Sequence, residues 1–502
     1  MAGPIRLAPG PWRQASHFDS VSPNIIHMLF NSASFLLFLP VVLAGYWLWP
    51  GNFGRKLLLV IASCFFYAAW DWRFLGLLGF VVLTTFAASW LILDCKERAA
   101  RVQSLVVLWI CIGLQLTVLA FFKYFNFFED NLVALLSTIG LKSAASIARI
   151  LLPIGISFYT FHAITLAVDT YRGKVNTRVS LLDVALYIAF FPQLVAGPIV
   201  RATVLLPQLA TKRQISGEDL FVATQAIVTG FLYKVVFSDS IAPFVDKIFE
   251  RPADYTGLLL LAATFGFYCQ IYFDFNGYSM IAIGVSRLFG YKLPDNFNFP
   301  YAATSLGSFW RRWHISLSSW LRDYLYIPLG GNRLGVSKQM RNLVITMLLG
   351  GIWHGASWNF IIWGAAHGTV LAIERFSQIY RGKILTEENR SITSLALGWL
   401  VTQTIVLLLW IPFRAKTLAD SLAVISGIFT WRTMMAGAPV AIPITLLILP
   451  IFCDTVFVRL LRSQPGKPLR RPEVRFGLLI LCALAVGLVT KTGLRSFIYF
   501  QF

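Results

Sequence analysis

The most informative stretch of the sequence is Gly350–Gly368, which reads GGIWHGASWNFIIWGAAHG. It places His354 among glycines, tryptophans and aliphatic residues, and it contains no Asp, Glu, Lys or Arg. Histidine is the side chain whose charge changes nearest to neutral pH, which suits it to proton transfer. An ionisable group in a membrane-like segment is costly to bury and is therefore a functional candidate. The alternative is a structural histidine, buried or lining a wet cavity.

The composition around this stretch indicates a membrane protein. Of 502 residues, 57% are hydrophobic and only 13% are charged, whereas a soluble domain has about 25% charged residues. Apolar runs long enough to cross a bilayer recur from Phe30 to Val489. We therefore predict an all-α polytopic membrane protein with about eleven to thirteen transmembrane or re-entrant helices.

The first residues differ from the rest of the chain. Residues 1–27 contain several prolines and serines and lack the apolar core of a signal peptide. We expect a disordered tail here, unless Met28 is the true start of the protein. A single membrane domain is then predicted for residues 28–502.

The formal charge of +20 raises the question of nucleic-acid binding. The basic residues, however, lie in short clusters between apolar runs, as expected for loops at a cytoplasmic face and an anionic leaflet. We therefore predict membrane lipid contact and no nucleic acid. The loops predicted to be cytoplasmic are Lys96–Arg101, Arg201–Arg213 and Arg462–Arg475.

Twelve hydrophobic segments are candidate membrane spans. They are 32–50, 55–71, 74–94, 104–122, 147–170, 181–199, 219–239, 256–288, 342–375, 393–413, 440–461 and 474–490. Residues 256–288 and 342–375 are too long for one straight crossing and contain glycines. Each is predicted to be a tilted or broken helix, a re-entrant pair, or a span with an interfacial piece.

A tryptophan-rich segment, Ser305–Arg333, lies in the longest loop. Apolar residues recur in it at spacings of three and four, and so does a polar set, Arg311, His314, Ser318 and Arg322. Because tryptophans favour the headgroup level, we predict one amphipathic helix at or just below the membrane surface. His314 is then either a catalytic candidate or an interfacial polar residue. The arginines are better explained as lipid or structural contacts than as catalysts.

A second polar group is expected inside an apolar run, where Gln270, Asp274 and Asn276 occur close together. A lone carboxylate there would cost at least about 2.5 kcal/mol, so Asp274 needs a partner or water. We predict an arginine partner from residues 311–322. A buried clasp that fixes the loop is favoured over direct catalysis.

The other candidates are weaker. His162 is interpreted as structural, and on one continuous helix His367 would lie roughly 20 Å and about 220° from His354. A helix break at Gly355 or Gly364 would remove that objection. The six cysteines have no metal-ligand spacing, and motifs for serine hydrolases, zinc proteases, P-loops and dinucleotide binding are absent from the sequence.

Several motifs resemble the membrane-bound O-acyltransferase family, in particular its bacterial alginate O-acetyltransferase branch. They are Met28-Leu-Phe-Asn-Ser, Phe191-Pro-Gln-Leu-Val-Ala-Gly-Pro-Ile, YFDFNGYSMIAIG from Tyr272, Asn296-Phe-Asn-Phe-Pro-Tyr, SFWRRWHISLSSWLRDYLYIPLGGNR from Ser308, and GGIWHGASWNFIIWG from Gly350. The resemblance covers most of residues 28–502. Two positions depart from the branch, Met280 and Ser308, where acidic residues often stand.

This resemblance implies helices around a central funnel, with His354 as the catalytic histidine and His314 as a second important histidine. Additional candidate residues for substrate binding or support are Asp274, Arg311, Arg322, Asp323, Trp353 and Asn359. The resemblance implies an acetyltransferase of the bacterial inner membrane that takes acetyl from a cytoplasmic thioester, most plausibly acetyl-CoA, without a bound cofactor or metal. The acceptor would be an exported polysaccharide such as alginate. Periplasmic or membrane-anchored acetyltransferase partners would complete delivery of the acetyl group to the polymer.

Other functions remain to be distinguished. A transporter or flippase for a polysaccharide or lipid precursor also has many spans and buried polar groups. A non-catalytic scaffold would explain the tryptophan-rich segment but not the burial of His354. Acyl transfer to cellulose, or of D-alanine to teichoic acid, is a related alternative, although the motifs favour the alginate branch over the last.

Overall fold

The computed structural model describes residues 28–141, 149–382 and 391–430, with isolated positions between 480 and 498. Within these residues the chain is helical and has no β-strand. The α-helices are α1 (Ala33–Leu48), α2 (Asn52–Asp71), α3 (Leu75–Glu97), α4 (Arg101–Thr138), α5 (Ile156–Tyr171), α6 (Leu181–Ala189), α7 (Phe191–Leu194), α8 (Ala202–Ala210), α9 (Gly217–Phe231), α10 (Asp239–Glu250), α11 (Leu258–Leu288), α12 (Leu306–Arg312), α13 (Ile315–Leu321), α14 (Val336–His354), α15 (Trp358–Tyr380), α16 (Ile392–Arg414) and α17 (Leu418–Ile428). π-Helical turns follow α9 at Leu232–Ser238 and α13 at Arg322–Tyr326.

The helices confirm a multi-pass membrane protein. In the described ranges, five helical stretches are long and apolar enough to cross a membrane: Asn52–Glu97, Arg101–Thr138, Gly217–Glu250, Leu258–Leu288 and Ile392–Arg414. On α4, large apolar side chains such as Trp109, Ile110 and Phe121 are exposed, as expected for a surface that faces lipid. The total number of crossings stays a prediction, because residues 440–461 and most of 474–490 lie outside the described residues, as do residues 1–27.

α11 is the central helix of the fold. It is continuous over 31 residues, so the break considered for 256–288 does not occur. Most of its side chains are buried against α9, α10, α16 and α17. The contact with α9 is close because both helices carry glycine there: a Cβ on Gly277 would lie 2.8 Å from the carbonyl oxygen of Gly230. Small residues of this kind let helices pack closely in membranes.

Two of the loops predicted to be cytoplasmic lie at the same face of the molecule. Lys96 Nζ donates to the carbonyl oxygens of Thr170 and Tyr171 at the end of α5. Arg172, next to Tyr171, donates to the carbonyl oxygen of Asp323 at 3.1 Å, and Arg201 pairs with the carboxylate of Asp323 at 3.1 Å. Asp323 lies in the π-helical turn that follows α13. We refer to this end of the fold as the basic face. The third loop, Arg462–Arg475, lies outside the described residues.

The tryptophan-rich segment is not one surface helix, so that prediction is wrong. α12 ends at Arg312, and α13 begins at Ile315. Between them His314 has a φ of 42°, in the left-handed region that a continuing right-handed helix does not use. The tryptophans pack inside the protein: Trp313 is 1% exposed and Trp320 is 7% exposed. A spacing of three and four therefore marks helical faces that pack into the core here.

Candidate active site

His354 is the last residue of α14, at a sharp break in the chain. Gly355 has an extended backbone, and α15 begins three residues later at Trp358. The new helix is capped by Ser357, whose hydroxyl accepts a hydrogen bond from the N–H of Asn359 at 3.1 Å. The long segment 342–375 is thus a broken helix, one of the arrangements that the sequence left open.

Glycines let α14 and α15 pack against each other as a hairpin. A Cβ on Gly364 would lie 2.5 Å from the carbonyl oxygen of Met347 and 3.0 Å from the Cα of Gly351. These distances leave no room for a side chain. The hairpin brings both histidines to one indole: the rings of His354 and His367 lie 5.1 and 4.7 Å from that of Trp363, between centroids. The objection to His367 from a continuous helix therefore does not hold.

The imidazole of His354 lies in an aromatic pocket. Its ring centroid is 4.9 Å from that of Trp353, 5.1 Å from Trp363 and 5.2 Å from Phe413. Four histidines are buried in the described part of the chain: His162, His314, His354 and His367. Of these, His354 keeps 6% of its surface accessible, against 0–1% for the others. His354 is thus the least buried of the four.

His314 is fixed by a hydrogen-bond network. The backbone N–H and hydroxyl of Ser316 donate to Asn296 Oδ1, and the amide of Asn296 donates to Ser279. Since Asn296 Oδ1 accepts these bonds, the 3.0 Å contact with His314 assigns the proton to Nδ1 of the imidazole. His314 Nε2 then carries the lone pair.

The indole of Trp353 lies between the two predicted histidines. Its ring centroid is 6.3 Å from that of His314 and 4.9 Å from that of His354. Phe161 stacks on the same indole at 5.1 Å, with planes 14° apart. Residues that are forty positions apart in the sequence thus meet around one aromatic side chain. Their catalytic roles stay predictions.

Asp274 is held by a lysine, so the predicted arginine partner is wrong. Asp274 Oδ1 accepts a hydrogen bond from Lys234 Nζ at 2.5 Å, and Oδ2 accepts one from the N–H of Ile498 at 2.8 Å. Lys234 also pairs with Asp239 at 2.9 Å. This buried cluster joins the π-helical turn after α9 to α11 and to the carboxyl-terminal part of the chain. Its contacts are those of a structural clasp.

Asp323 and Asn359, two other candidates, also make contacts between structural elements. Asp323 binds Arg201 at the basic face. The amide of Asn359 donates to the carbonyl oxygen of Ala415 at 2.8 Å and accepts from the hydroxyl of Ser421 at 3.3 Å. Asn359 therefore ties the start of α15 to the junction of α16 and α17, behind the aromatic pocket of His354.

Arg311 and Arg322 line a cavity of about 750 Å³ that opens beside the basic face. Arg375 adds a third guanidinium to its wall. The wall also includes Trp310, whose ring lies 5.7 Å from that of Trp363. Trp363 in turn packs on the imidazole of His354, at 5.1 Å between ring centroids. Glu374 also lines the cavity, so its wall carries three guanidinium groups and one carboxylate.

Sequence reasoning did not identify Lys123 as a site residue. Its ammonium group donates to the backbone carbonyl oxygens of Trp353 and His354, at the end of α14. The signal in the sequence was a lysine inside the run FFKYFNFF, which the predicted span 104–122 excluded. Because α4 continues to Thr138, Lys123 lies within a helix that is long and apolar enough to cross the membrane.

Comparisons with known proteins identify the family of this chain. The model of MBOAT, the membrane-bound O-acyltransferase family, matches residues 98–405. A protein named probable alginate O-acetylase AlgI from Azotobacter vinelandii is 42% identical over 407 residues, covering 80% of this chain and 78% of its own. Another of that name from Pseudomonas putida is 37% identical over 499 residues, covering 95% of this chain and 100% of its own. A peptidoglycan O-acetyltransferase from Helicobacter pylori is 37% identical and covers 80% of both chains.

The residues matched by the family model extend from α4 into α16 and include the whole hairpin of α14 and α15, with His354 at the end of α14. They support an acyltransferase over the transporter and scaffold alternatives. The chain therefore belongs to the membrane-bound O-acyltransferase family and is a multi-pass membrane acyltransferase.

Proposed function

We propose that this enzyme transfers an acetyl group from a cytoplasmic thioester, acetyl-CoA, to a hydroxyl group for the O-acetylation of an exported polysaccharide such as alginate. The observation that carries the proposal is the position of His354 at the helix break, packed on Trp363, whose indole also contacts Trp310 in the wall of an arginine-lined cavity. The names of the relatives support an acetyl group and a polysaccharide acceptor. The proposed location is the bacterial inner membrane, with the basic face in the cytoplasm.

In the proposed reaction His354 is the general base. The acceptor oxygen attacks the thioester carbonyl carbon, while His354 takes the hydroxyl proton. The carbon–sulfur bond then breaks, and the proton passes from the imidazolium to the departing thiolate. General-base help of this kind is worth about 10²–10⁴ in rate. His314 would position a substrate or stabilise the oxyanion.

Two indoles are further candidates for stabilising the oxyanion. The Nε1–H groups of Trp353 and Trp363 are buried and have no acceptor among the described residues. Both side chains pack on His354. Preorganised donors beside a developing negative charge are an effective source of catalysis in a site that excludes water. The same aromatic walls would keep water from hydrolysing the thioester.

The arginines of the cavity would bind the phosphates of the donor. We expect Arg311→Gln and Arg375→Gln each to raise the KM for acetyl-CoA by about 3- to 30-fold, because each removes one charge-assisted contact. The kcat should change much less, since neither residue contacts His354. Initial rates in membranes at several donor concentrations measure both constants.

A matched control is Arg149→Gln, which removes an arginine that pairs with Asp130 and does not line the cavity. It should leave the KM for acetyl-CoA unchanged. Equal effects from Arg149→Gln and Arg311→Gln would show that the cavity arginines do not bind the donor.

The proposed substrates are tested with the purified enzyme in lipid vesicles. Acetyl-CoA labelled in the acetyl group is supplied on one side, with oligomannuronate or peptidoglycan fragments as acceptors and with periplasmic partner acetyltransferases added or omitted. Label in the oligomannuronate, with or without a partner, is the expected result. Label in the peptidoglycan alone would show that peptidoglycan, and not alginate, is the acceptor. Transfer from a D-alanyl thioester but not from acetyl-CoA would contradict the proposed donor.

A further inference from the structure

The end of α14 leaves backbone groups that need partners. The last four carbonyl oxygens of any α-helix have no partner within the helix, and for α14 they belong to residues 351–354. Inside a membrane an unsatisfied carbonyl costs several kcal/mol per group. Since His354 is the last helical residue, the way these carbonyls are satisfied also determines where its imidazole lies.

Two neighbouring residues of α4 satisfy three of them. The hydroxyl of Tyr124 donates to the carbonyl oxygen of Ile352 at 2.8 Å. The ammonium group of Lys123 donates to the carbonyl oxygen of His354 at 3.1 Å and also to that of Trp353. One turn of α4 therefore holds the final turn of α14.

A lysine is suited to this position for an electrostatic reason. The carboxyl-terminal end of a helix carries partial negative charge, which a nearby cation stabilises. Lys123 also lies 5.5 Å from the ring centroid of Trp353 and 3.5 Å from the hydroxyl of Ser157. A charged side chain in a membrane-spanning helix is expensive, and these contacts account for its being kept there.

We propose that Lys123, assisted by Tyr124, is a positioning residue that holds His354 in its reactive orientation. The proposal rests on the proposed function, in which His354 is the general base. Without the ammonium group the last turn of α14 would fray toward Gly355, and the imidazole would move relative to the thioester. A displacement of about 1 Å at a reacting group can cost about 10²-fold in rate.

The chain contains a matched control for this role. Lys96 also donates to the last carbonyl oxygens of a helix, those of Thr170 and Tyr171 at the end of α5. That helix end lies at the basic face and makes no contact with His354. The two lysines thus make the same kind of bond, and only Lys123 holds the histidine.

The test compares Lys123→Met, Lys123→Arg and Lys96→Met in the full-length enzyme in membranes, with kcat, donor KM and thermal stability measured for each. Lys123→Met should lower kcat by about 10- to 100-fold at an unchanged KM. Lys123→Arg, which keeps a cationic donor, should recover most of the loss. Lys96→Met should keep kcat within about twofold of the wild-type value, since losing this hydrogen bond affects only the stability of the protein.

The proposal is overturned if Lys123→Met keeps the wild-type kcat, or if its loss merely follows the folded fraction as for Lys96→Met. If Lys123→Met does not fold, Tyr124→Phe decides. It removes one bond without changing the charge and should lower the kcat of the folded enzyme by about three- to fivefold, beyond any stability lost with the bond. An unchanged kcat contradicts the proposal. A His354→Ala enzyme that remains active would instead refute the proposed function itself.

Discussion

Replacing His354 by alanine is expected to lower the rate of acyl transfer by about 10²–10⁴-fold, because it removes the proton acceptor of the reaction. The fold should survive. The imidazole contacts the side chains of Trp353, Trp363 and Phe413, and these remain in place when it is removed. We expect α14 to end at residue 354 in the variant as in the wild type. The measurement is transfer of labelled acetyl in membranes, normalised to the amount of folded enzyme.

His162→Gln is the matched control for that experiment. His162 is also buried, but its Nε2 accepts a hydrogen bond from the N–H of Val200, a role that a glutamine oxygen can take over. We expect activity within a few-fold of wild type. Normal acetyl transfer by His354→Ala would refute the catalytic assignment. Equal losses of activity in both variants would show that the loss comes from disturbed packing and not from the missing proton acceptor.

The second large effect is expected from Gly364→Leu. A side chain at this position meets the backbone of α14 at Met347 and Gly351, neither of which can move without separating the hairpin. Overpacking a tight contact costs about 1–3 kcal/mol, and here the contact also sets the position of His354. We expect less folded enzyme in the membrane, a lower midpoint of thermal unfolding in detergent, and loss of transfer in what remains.

Gly113→Leu is the control, because a Cβ on this glycine of α4 meets no atom within 4 Å. Gly113 is exposed on a helix whose surface is otherwise rich in apolar side chains, so leucine should be accepted there. If the two leucine variants unfold at the same temperature and are equally active, the hairpin does not depend on close glycine contact.

The sequence predicted the fold class and the central histidine for a simple physical reason. Long uncharged runs have few stable alternatives to helices in a bilayer, and an ionisable group inside one is unusual enough to notice. The break after His354 was among the arrangements predicted for 342–375. Selecting it needed the structure, since a glycine within a membrane helix indicates close packing as often as a break. Gly355 marks the break, whereas Gly364 lies inside a continuous helix.

The partner of Asp274 and the fate of the tryptophan-rich segment could not be read from the sequence. The sequence contains many lysines and arginines that could pair with a buried carboxylate. Lys234 is the partner of Asp274 because the π-helical turn after α9 directs its side chain toward α11. Tryptophans at helical spacing fit a membrane surface and a protein core equally well. The left-handed backbone of His314, which separates the two short helices, has no signal in residue type.

Lys123 was missed in the sequence because a charged residue is normally taken as the end of a membrane span. Treating it as the boundary of a span ended the prediction at residue 122, whereas α4 continues for sixteen residues beyond it. The lysine is tolerated there because helix-end carbonyl oxygens accept its hydrogen bonds and stabilise its charge. A lysine inside an aromatic run should therefore be considered as a buried hydrogen-bond donor to another helix before it is assigned to a loop.

The most direct test of the account is a structure of the enzyme in lipid with a non-hydrolysable acetyl-CoA analogue. We predict phosphates at the arginines of the cavity, and the acyl carbonyl carbon beside His354, with space for a hydroxyl within about 3 Å of the imidazole. An acyl end bound elsewhere, with His354 sealed behind Trp363, would contradict the claim that thioester and alcohol meet at this histidine.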